Sequence, residues 1–409
     1  MSNITCNITN YDIAIIGGGA SGLMLAANLY LNGRSGIILE GSSIVGSKLL
    51  MSGGGRCNIT HGGSVKDFVR AYGDEGPLLR KCLNRHSNLE LCNWLESHGV
   101  ALTEADSRIF PASMKSRDVL DAFLNEAKRN QWQIKTNAKV SGLEQIDMHS
   151  NSPESDKSSL WEIKLQDCRP VTARNLVIAT GGITYPETGS DGSMFEIIRG
   201  LGIKVSELRP ALAQIFVKDY PYSELSGISL ADVTVTAYGS ASACTCNGKS
   251  ARMNGDLLFT HEGLSGPVIL NISKYAECGE TIRLCYNKEL SDLPKRMQNL
   301  LKERSKGSSG DIKTTVLASL LDHDDFTVSD IDSRGMVTSG GVTLSEIDLS
   351  TMQIKRFVNE KAHAQCTGSV YAIGEAIDAD GITGGYNLQL CWSTATTAAE
   401  SLKAAILES

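Results

Sequence analysis

The sequence predicts an α/β fold in which both ends of the chain build one parallel sheet and the middle forms an insertion. The first reason is an apolar segment at 11–16 that leads into glycines spaced G-x-G-x-x-G and then into a helical pattern. The second is a pair of apolar segments far downstream, 175–182 and 369–381, which also carry glycine turns. The third is the segment between them, whose residues alternate like antiparallel strands.

The opening segment YDIAIIGGGASGLMLAANLYLNGRSGIILEGS (11–42) predicts a dinucleotide site. Gly17 permits a tight turn, Gly19 lets the backbone approach a pyrophosphate, and Gly22 lets the helix pack against the strand. The helix begins near Ala20, and its N-terminal N–H groups and dipole attract phosphate. A strand, a glycine turn and a helix in this order are far more specific than the glycine spacing alone.

The end of this helix and the strand that follows it are also predicted. Gly33 is placed where a helix commonly ends, so we expect the helix to close there. Glu40 ends the second apolar strand, GIILE, 18 residues after Gly22, where an acid accepts hydrogen bonds from a ribose 2′-hydroxyl. This acid argues against a 2′-phosphate and hence against NADP at this first site.

Three later features favour FAD over NAD. A strand-end turn in NLVIATGG would cover the pyrophosphate, and acids after the strand in SVYAIGEAIDADG would bind ribityl hydroxyls. The glycine turn that opens the C-terminal helix (381–406) would face the isoalloxazine C2 carbonyl, where negative charge gathers on reduction. The predicted contacts in these three segments are Thr180, Gly181, Gly374, Glu375, Asp378, Gly385, Tyr386 and Asn387.

Composition excludes several classes. The chain has 409 residues and a net charge of −7, without a visible basic stripe, so we expect neither nucleic acid nor membrane as a partner. Eleven cysteines include no CxxC pair, and the N-terminal segment has no basic region, which predicts a reduced, cytoplasmic protein. Seven histidines form no cluster, so no metal site is expected. The sequence leaves the oligomeric state open.

The chain resembles the BaiN-like (YhiN-type, aminoacetone-oxidase-like) family of FAD-dependent oxidoreductases. The matching stretches span residues 13 to about 395 and include IAIIGGGASGLMLA, GSKLLMSGGGRCNITH, LVIATGGITYPETGS, LFTHEGLSGP and GEAIDADGITGGYNLQLCWSTA. The resemblance implies a glutathione-reductase-type Rossmann domain with non-covalent FAD, formed by 1–195 and 345–409. It implies a β-barrel-like and small helical insert at 196–344 that roofs the flavin and shapes the substrate cavity, and an adenine contact at Val140.

The stretch MSGGGRCNITH (51–61) raises a choice between a reactive thiol and a backbone cradle. No second cysteine lies within 24 residues of Cys57, so a dithiol mechanism is disfavoured and a buried thiol is expected. In the second case, the backbone N–H groups of Gly53 and Gly54 would lie close to the cofactor. The flanking side chains Lys48, Arg56 and Asn58 are also predicted to contact the cofactor.

The chemistry of the substrate stays open. Tyr185, Tyr386 and His261 are candidate proton donors, although packing or cofactor contact is the favoured role for each. No second GxGxxG follows residue 22, so NAD(P)H binds without that fingerprint or the substrate is the donor and oxygen the acceptor. The resemblance implies reduction of an activated C=C bond of a small molecule, with small-amine oxidation as the alternative. Flavoproteins of RNA modification and non-catalytic flavin binding are rivals of other classes.

Overall fold

The computed structural model describes residues 9–147, 159–238, 250–304, 320–357 and 368–407. The chain forms two compact units, Met1–Leu208 with Thr338–Ser409, and Arg209–Val337. The sequence placed the boundaries at 195 and 345, so the observed insert is the shorter one. Cys244 and Cys246, which form a CxC pair in the sequence, lie outside the described residues.

The described elements of the first unit are given in chain order. Its strands are β1 Thr9–Ile16, β2 Gly36–Leu39, β3 Thr60–His61, β4 Leu102–Ala105, β5 Arg108–Pro111, β6 Gln133–Lys135, β7 Val140–Asp147, β8 Ser159–Leu165 and β9 Val171–Ile178, and its helices are α1 Ala20–Asn28, α2 Ser47–Met51, α3 Val65–Ala71, α4 Gly76–Arg85, α5 Asn88–Ser97, α6 Ser116–Arg129 and α7 Ser193–Gly200.

The second unit contains strands β10 Arg209–Ala211, β11 Ile215–Val217, β12 Ser229–Tyr238, β13 Ala251–Phe259, β14 Gly263–Ser265, β15 Thr281–Cys285 and β16 Asp324–Ile331, with helices α8 Pro267–Ile272 and α9 Lys295–Arg304. Strand β17, Val337–Ser339, returns the chain to the first unit. The last elements are β18 Ile347–Asp348, β19 Gln353–Ile354, β20 Val370–Ala372 and the helix α10, Tyr386–Leu407.

The main sheet of the first unit confirms the predicted Rossmann-type fold. Its parallel part runs β20-β9-β1-β2-β6, so strands from both ends of the sequence are neighbours. All four residues of β2 are buried, as expected for a parallel sheet that is covered on both faces. Ile178 of β9 pairs with Ile16 of β1 and with Ala372 of β20. The carboxyl ends of three strands therefore meet at one edge of the sheet.

The second unit is a closed six-stranded barrel in the order β11-β14-β13-β12-β15-β16, which confirms the barrel that the resemblance implied. Its own apolar core includes the fully buried Phe259. That core also encloses Asp324, whose carboxylate accepts hydrogen bonds from Tyr222 and, at 2.6 Å, from the hydroxyl of Tyr286. Across both units, the described helices are too short or too polar to cross a membrane.

One predicted helix end is wrong. Helix α1 ends at Asn28, five residues before Gly33, and the Asn28 amide donates to the carbonyl of Met24 at 2.7 Å. In α6, Ser116 is the first helical residue and Lys115 occupies the N-cap position. The Ser116 hydroxyl donates to the carbonyl of Leu50 at 2.8 Å, so it fastens α6 to α2 instead of capping its own helix.

Candidate cofactor site

The first glycine turn lies at the carboxyl end of β1. Gly17 has a φ of +106°, and a Cβ there would lie 2.4 Å from the carbonyl oxygen of Ala179. A Cβ on Gly22 would lie 2.1 Å from the carbonyl oxygen of Gly17. A Cβ on Gly19, at the N-terminus of α1, would meet no protein atom within 4 Å. The outer glycines thus serve internal packing, whereas Gly19 keeps space open beside the helix N-terminus and Ala20.

Glu40 follows β2 and is 7% exposed. Its carboxylate accepts hydrogen bonds from the backbone N–H of Gly18 at 2.8 Å and of Ser42 at 2.7 Å. A carboxylate has about four lone-pair positions, so about two remain available to ribose hydroxyls. The predicted acid is therefore fixed beside the glycine turn.

Two predicted cofactor contacts are bound to each other. The Lys48 ammonium lies 2.8 Å and 2.9 Å from the two carboxylate oxygens of Glu375 and donates to the Thr184 hydroxyl at 2.7 Å. The backbone N–H of Thr338 also donates to Glu375 at 2.8 Å. The sequence predicted Lys48 and Glu375 separately; the structure brings them together across 327 residues and adds two threonines that no motif identified.

The glycine loop is a run of left-handed backbone. Gly53, Gly54 and Gly55 have φ of +58°, +67° and +84°, and Cys57 follows with +60°. Cys57 is fully buried, and burial raises the pKa of its thiol to about 11 against the smaller opposing effect of a hydrogen bond with Ser52. The thiol is therefore protonated at neutral pH, which agrees with the expected inert role.

A buried chain of hydrogen bonds joins this loop to α10. With its amide oriented to satisfy both atoms, Asn58 donates to the carbonyl of Thr60 and accepts from the N–H of Gly385, both at 3.0 Å. The Thr60 hydroxyl donates to Gln389 at 2.8 Å, and Gln389 donates to the carbonyl of His86 at 3.0 Å. Sequence reasoning identified Asn58 and Gly385 but missed Thr60 and Gln389, because nothing local marks a pair separated by 329 residues.

Tyr386 begins α10 inside an aromatic cluster. Its ring stacks on His61 with centroids 5.0 Å apart and also contacts Phe68 and Tyr72 at their edges. Burial, followed by the charge of Asp67, raises the pKa of the Tyr386 phenol. These contacts support a packing role, while leaving the predicted proton-donor role untested.

The other candidate residues differ in exposure and in location. Tyr185 has a φ of +57°, and its ring centroid lies 6.0 Å from the Lys48 ammonium. Arg56 is exposed and donates to the carbonyl of Gly53 at 3.1 Å. Asn387 exchanges hydrogen bonds with both backbone groups of Gly381, which fixes the turn before α10. His261 is in the second unit, at the exposed turn between β13 and β14.

Five further predicted contacts lie at or near the ends of strands. Thr180 and Gly181 follow β9, and Gly374, with a φ of +63°, follows β20. Asp378 donates its backbone N–H to the carbonyl of Val342 at 2.8 Å. Val140 is the first residue of β7, is 8% exposed and pairs with Leu165.

The residues fit an extended dinucleotide. The hydroxyl oxygens of Thr180 and Ser190 are buried and have no hydrogen-bond partner among the described residues, and a Cβ on Gly181 would lie 2.7 Å from the Ser190 hydroxyl. Buried hydroxyls without partners are rare, and Thr180 lies beside the first glycine turn, since a Cβ on Gly17 would be 3.0 Å from the Cα of Thr180. Helix N-termini and hydroxyl groups can donate hydrogen bonds to phosphates, and a buried carboxylate can accept them from sugar hydroxyls.

Comparison with known proteins adds the family. Residues 11–401 match the family model described as HI0933-like protein Rossmann domain. Ribosomal RNA dihydrouridine synthases of Haemophilus influenzae and Escherichia coli are 27% and 28% identical, over 95% and 97% of this chain and 97% and 98% of theirs. A 3-dehydro-bile acid delta(4,6)-reductase of Clostridium scindens is 26% identical over 93% of this chain and 96% of its own.

A solved structure of 3-ketosteroid delta1-dehydrogenase from Sterolibacterium denitrificans covers 97% of this chain and 100% of its own, with a TM-score of 0.52 at 13% identity. That likeness concerns the fold. The family model, in contrast, covers almost the whole chain, including every glycine turn described above. The chain therefore belongs to the HI0933-like family of FAD-binding Rossmann proteins and is an FAD-dependent oxidoreductase.

Proposed function

We propose that the protein reduces a C=C bond conjugated to a carbonyl group, and that the bond is in a uridine of ribosomal RNA. The observation that carries the proposal is the shared chemistry of the relatives, which match this chain over 93% or more of its length. Dihydrouridine is uridine whose C5=C6 bond, conjugated to the C4 carbonyl, has been saturated. A delta(4,6)-reductase name describes saturation of comparable bonds in a ring.

The reaction needs one hydride and one proton. FAD, when bound, supplies two-electron hydride chemistry between a reduced nicotinamide and the substrate carbon β to the carbonyl. The nicotinamide is oxidised, and a proton added to the neighbouring carbon completes the saturated bond. The chain's own tasks are to hold the cofactor and to deliver that proton, for which Tyr185 and Tyr386 remain the candidates.

Individual residues have distinct parts in holding the cofactor. Gly19 and the N-terminus of α1 would bind the pyrophosphate, and Glu40 a ribose hydroxyl. Glu375 would bind ribityl hydroxyls while Lys48 compensates its charge at 2.8 Å. The N-terminus of α10, at Gly385 and Tyr386, would stabilise negative charge at the isoalloxazine C2 carbonyl.

RNA is proposed despite the acidic composition. A net charge of −7 describes the whole chain, whereas nucleic acid is bound by a local cationic surface. The second candidate is a small cyclic enone, favoured by the bile-acid reductase relative. The third is oxidation of a small amine by oxygen, which the family resemblance suggested and which needs no reduced nicotinamide.

Anaerobic spectroscopy separates the three. The FAD-loaded protein is treated in turn with NADH, NADPH and a panel of small amines, and flavin absorbance is followed. We expect a reduced nicotinamide to bleach the flavin, and unmodified transcripts of Escherichia coli ribosomal RNA to restore the absorbance. Restoration by a steroid dienone alone would favour the second candidate, and bleaching by an amine alone would overturn the proposal.

A further inference from the structure

We propose that Arg56, Arg108 and Lys115, here called the cationic face, bind the phosphate backbone of the RNA substrate at the rim of the cofactor site. The inference rests on the proposed function and adds the surface by which the RNA is held. It also revises the expectation, drawn from composition, that the protein has no nucleic-acid partner. The three residues come from separate segments of the first unit and converge on the small sheet β3-β5-β4.

The pairing of the small sheet places two of the cations on one side. Arg108 pairs with His61, and residues directly opposite each other in an antiparallel pair share a face. Phe110, two residues along β5, lies on that same face. The guanidinium carbon of Arg56 lies 6.0 Å from the centroid of the Phe110 ring. Phe110 itself is buried, whereas Arg56 and Arg108 are exposed, so the two arginines lie on the same side of the sheet at its surface.

The opposite side of the small sheet packs against the protein at Thr60, while Glu104 on that side is exposed. Thr60 pairs with Ile109, is fully buried and donates its hydroxyl to Gln389 of α10. Glu104 also pairs with Ile109, so its carboxylate belongs to that other side. The hairpin between β4 and β5 thus presents Arg108 outward while directing one of its own acids away from the cationic face.

Lys115 is brought to the same region by the turn after β5. The N–H of Met114 donates to the carbonyl of Pro111 at 2.8 Å, and the Ser116 hydroxyl donates to the carbonyl of Leu50 at 2.8 Å. The turn is therefore fastened to α2, which leads directly into the glycine loop. Met51 and Met114, on the two fastened segments, are 43% and 41% exposed and supply apolar surface between the charges.

The charges of the face are uncompensated. Within the described ranges, Arg56, Arg108 and Lys115 form no ion pair, whereas Arg117 and Arg129 of α6 pair with Asp121 and Glu126. Two acids lie near the face: Asp106, at the tip of the β4–β5 hairpin, and Asp67, which is close enough to His61 and Tyr386 for its charge to act on them. Unpaired cations release counterions from phosphate when they bind it, which gives affinity without any need for a base sequence.

Aromatic groups next to these cations favour RNA over a simple anion. His61, on the same side of the sheet as Arg108, is half-buried and stacks on the buried Tyr386 with ring planes 16° apart, and Tyr386 begins the helix that the cofactor site uses. Unpaired RNA is recognised by stacking on aromatic rings and guanidinium planes together with phosphate contacts. Enzymes that act on a base draw it out of its stack, so the neighbouring backbone must be held near the site.

The test compares two double substitutions that change the net charge equally. Arg108→Glu with Lys115→Glu removes two cations of the face, while Arg80→Glu with Lys128→Glu changes an exposed arginine of α4 and the lysine at the far end of α6. Lys115 and Lys128 are separated by about 20 Å along the helix axis. Arg56 is left unchanged because it is also a candidate cofactor contact. Thermal unfolding and FAD content verify that each variant folds.

Binding is measured with fluorescently labelled oligouridylate and with unmodified Escherichia coli ribosomal RNA transcripts over a range of salt concentrations. We expect the double substitution Arg108→Glu with Lys115→Glu to weaken RNA binding at least about 10-fold. It should also reduce the slope of log K against log salt by roughly 2, because each phosphate contact contributes about one unit to that slope. Anaerobic flavin reduction by the nicotinamide should stay unchanged. The control pair should bind like the unaltered protein.

The outcomes separate the surface from the function. If the Arg108→Glu, Lys115→Glu variant binds RNA and forms dihydrouridine as well as the unaltered protein does, the proposed role of the cationic face is wrong while the proposed function stands. Equal weakening by the control pair would also overturn the face, because the effect would then follow net charge alone. If the unaltered protein neither binds nor modifies the RNA, the proposed function fails and the face fails with it.

Discussion

The two glycine-rich regions of the first unit need glycine for different reasons. In the turn after β1, a Cβ on Gly17 or Gly22 would lie 2.4 Å or 2.1 Å from a backbone carbonyl oxygen. In the loop 53–55, a Cβ on Gly54 would meet no atom within 4 Å, but all three residues have positive φ. The first region is governed by close packing and the second by backbone conformation.

The difference also concerns what each region holds in place. The side-chain hydrogen bond that fixes the turn is local, since Glu40 accepts from the N–H of Gly18, 22 residues away, although Ala179 also packs against Gly17. The loop is completed from the other end of the chain, through Asn58 with Gly385 and Thr60 with Gln389. A cofactor bound between them would therefore depend on local sequence on one side and on the tertiary fold on the other.

The largest expected effect is that of Gly22→Ala. The added methyl group would collide with the backbone oxygen of Gly17, which cannot move without displacing β1. We expect a loss of about 3 kcal/mol or more in the free energy of unfolding, together with loss of FAD binding. Urea unfolding and FAD titration measure both quantities.

Gly19→Ala is the matched control, because its methyl group has open space in the protein. It should unfold like the unaltered chain and lose only FAD affinity, since it narrows the approach to the pyrophosphate. Equal stability of Gly22→Ala and Gly19→Ala would show that packing does not govern this turn.

The next effect is that of Thr60→Val, which keeps the shape and removes the hydroxyl. The Gln389 carbonyl oxygen, fully buried, would then lose its partner, which costs about 1–3 kcal/mol. Because the loop is held through this bond, FAD affinity should fall as well. Thr60→Ser keeps the hydroxyl and should retain both the stability and the FAD affinity. If the Val variant is as stable as the Ser variant and binds FAD equally well, the hydrogen bond does not have this role.

A smaller effect is expected for Gly54→Ala. The residue would be forced into a left-handed conformation at φ +67°, which costs about 1 kcal/mol for alanine. Asparagine adopts this conformation more readily, so Gly54→Asn should lose less stability. If Ala and Asn are equally destabilising, something other than backbone conformation selects glycine here.

The smallest effect on activity is expected for Cys57→Ala. Because the pKa of the buried thiol is about 11, almost no thiolate exists at neutral pH and flavin reduction should be unchanged. The thiol pKa is higher in the folded state than in the unfolded chain, so the folded state remains protonated at pH values where the unfolded chain has lost the proton. The contribution of this thiol to the free energy of unfolding therefore falls as the pH rises from the ordinary thiol pKa to about 11. Unfolding at pH 8 and pH 10 should show that Cys57→Ala weakens this fall, whereas a slowed flavin reduction would restore a thiol mechanism.

The sequence predicted what is encoded locally. The glycine spacing, the strands beside it and Glu40 were readable because their partners lie within one β-α-β segment. The family resemblance supplied the inserted barrel, which periodicity alone gave only as antiparallel strands. The alternation in the middle of the chain could not reveal how six strands close.

What the sequence could not predict depends on tertiary pairing. Lys48 and Glu375 were each identified as cofactor contacts, but their ion pair and the threonines beside it join segments separated by up to 327 residues. The end of α1 was also missed: the sequence placed it at Gly33, whereas the helix ends at Asn28. The proposed cationic face had no local signal, because Arg56 lies 52 residues before Arg108 in a sequence whose net charge is −7.

The most direct test of C=C reduction follows hydrogen into the product. The FAD-loaded protein is incubated anaerobically with deuterated reduced nicotinamide in ordinary water and with unmodified ribosomal RNA transcripts, and the digested nucleosides are weighed by mass spectrometry. The proposal predicts dihydrouridine that depends on added FAD and nicotinamide and carries at most one deuterium, because the second hydrogen is a solvent proton. Nicotinamide oxidation under these conditions with no dihydrouridine in any transcript would contradict it.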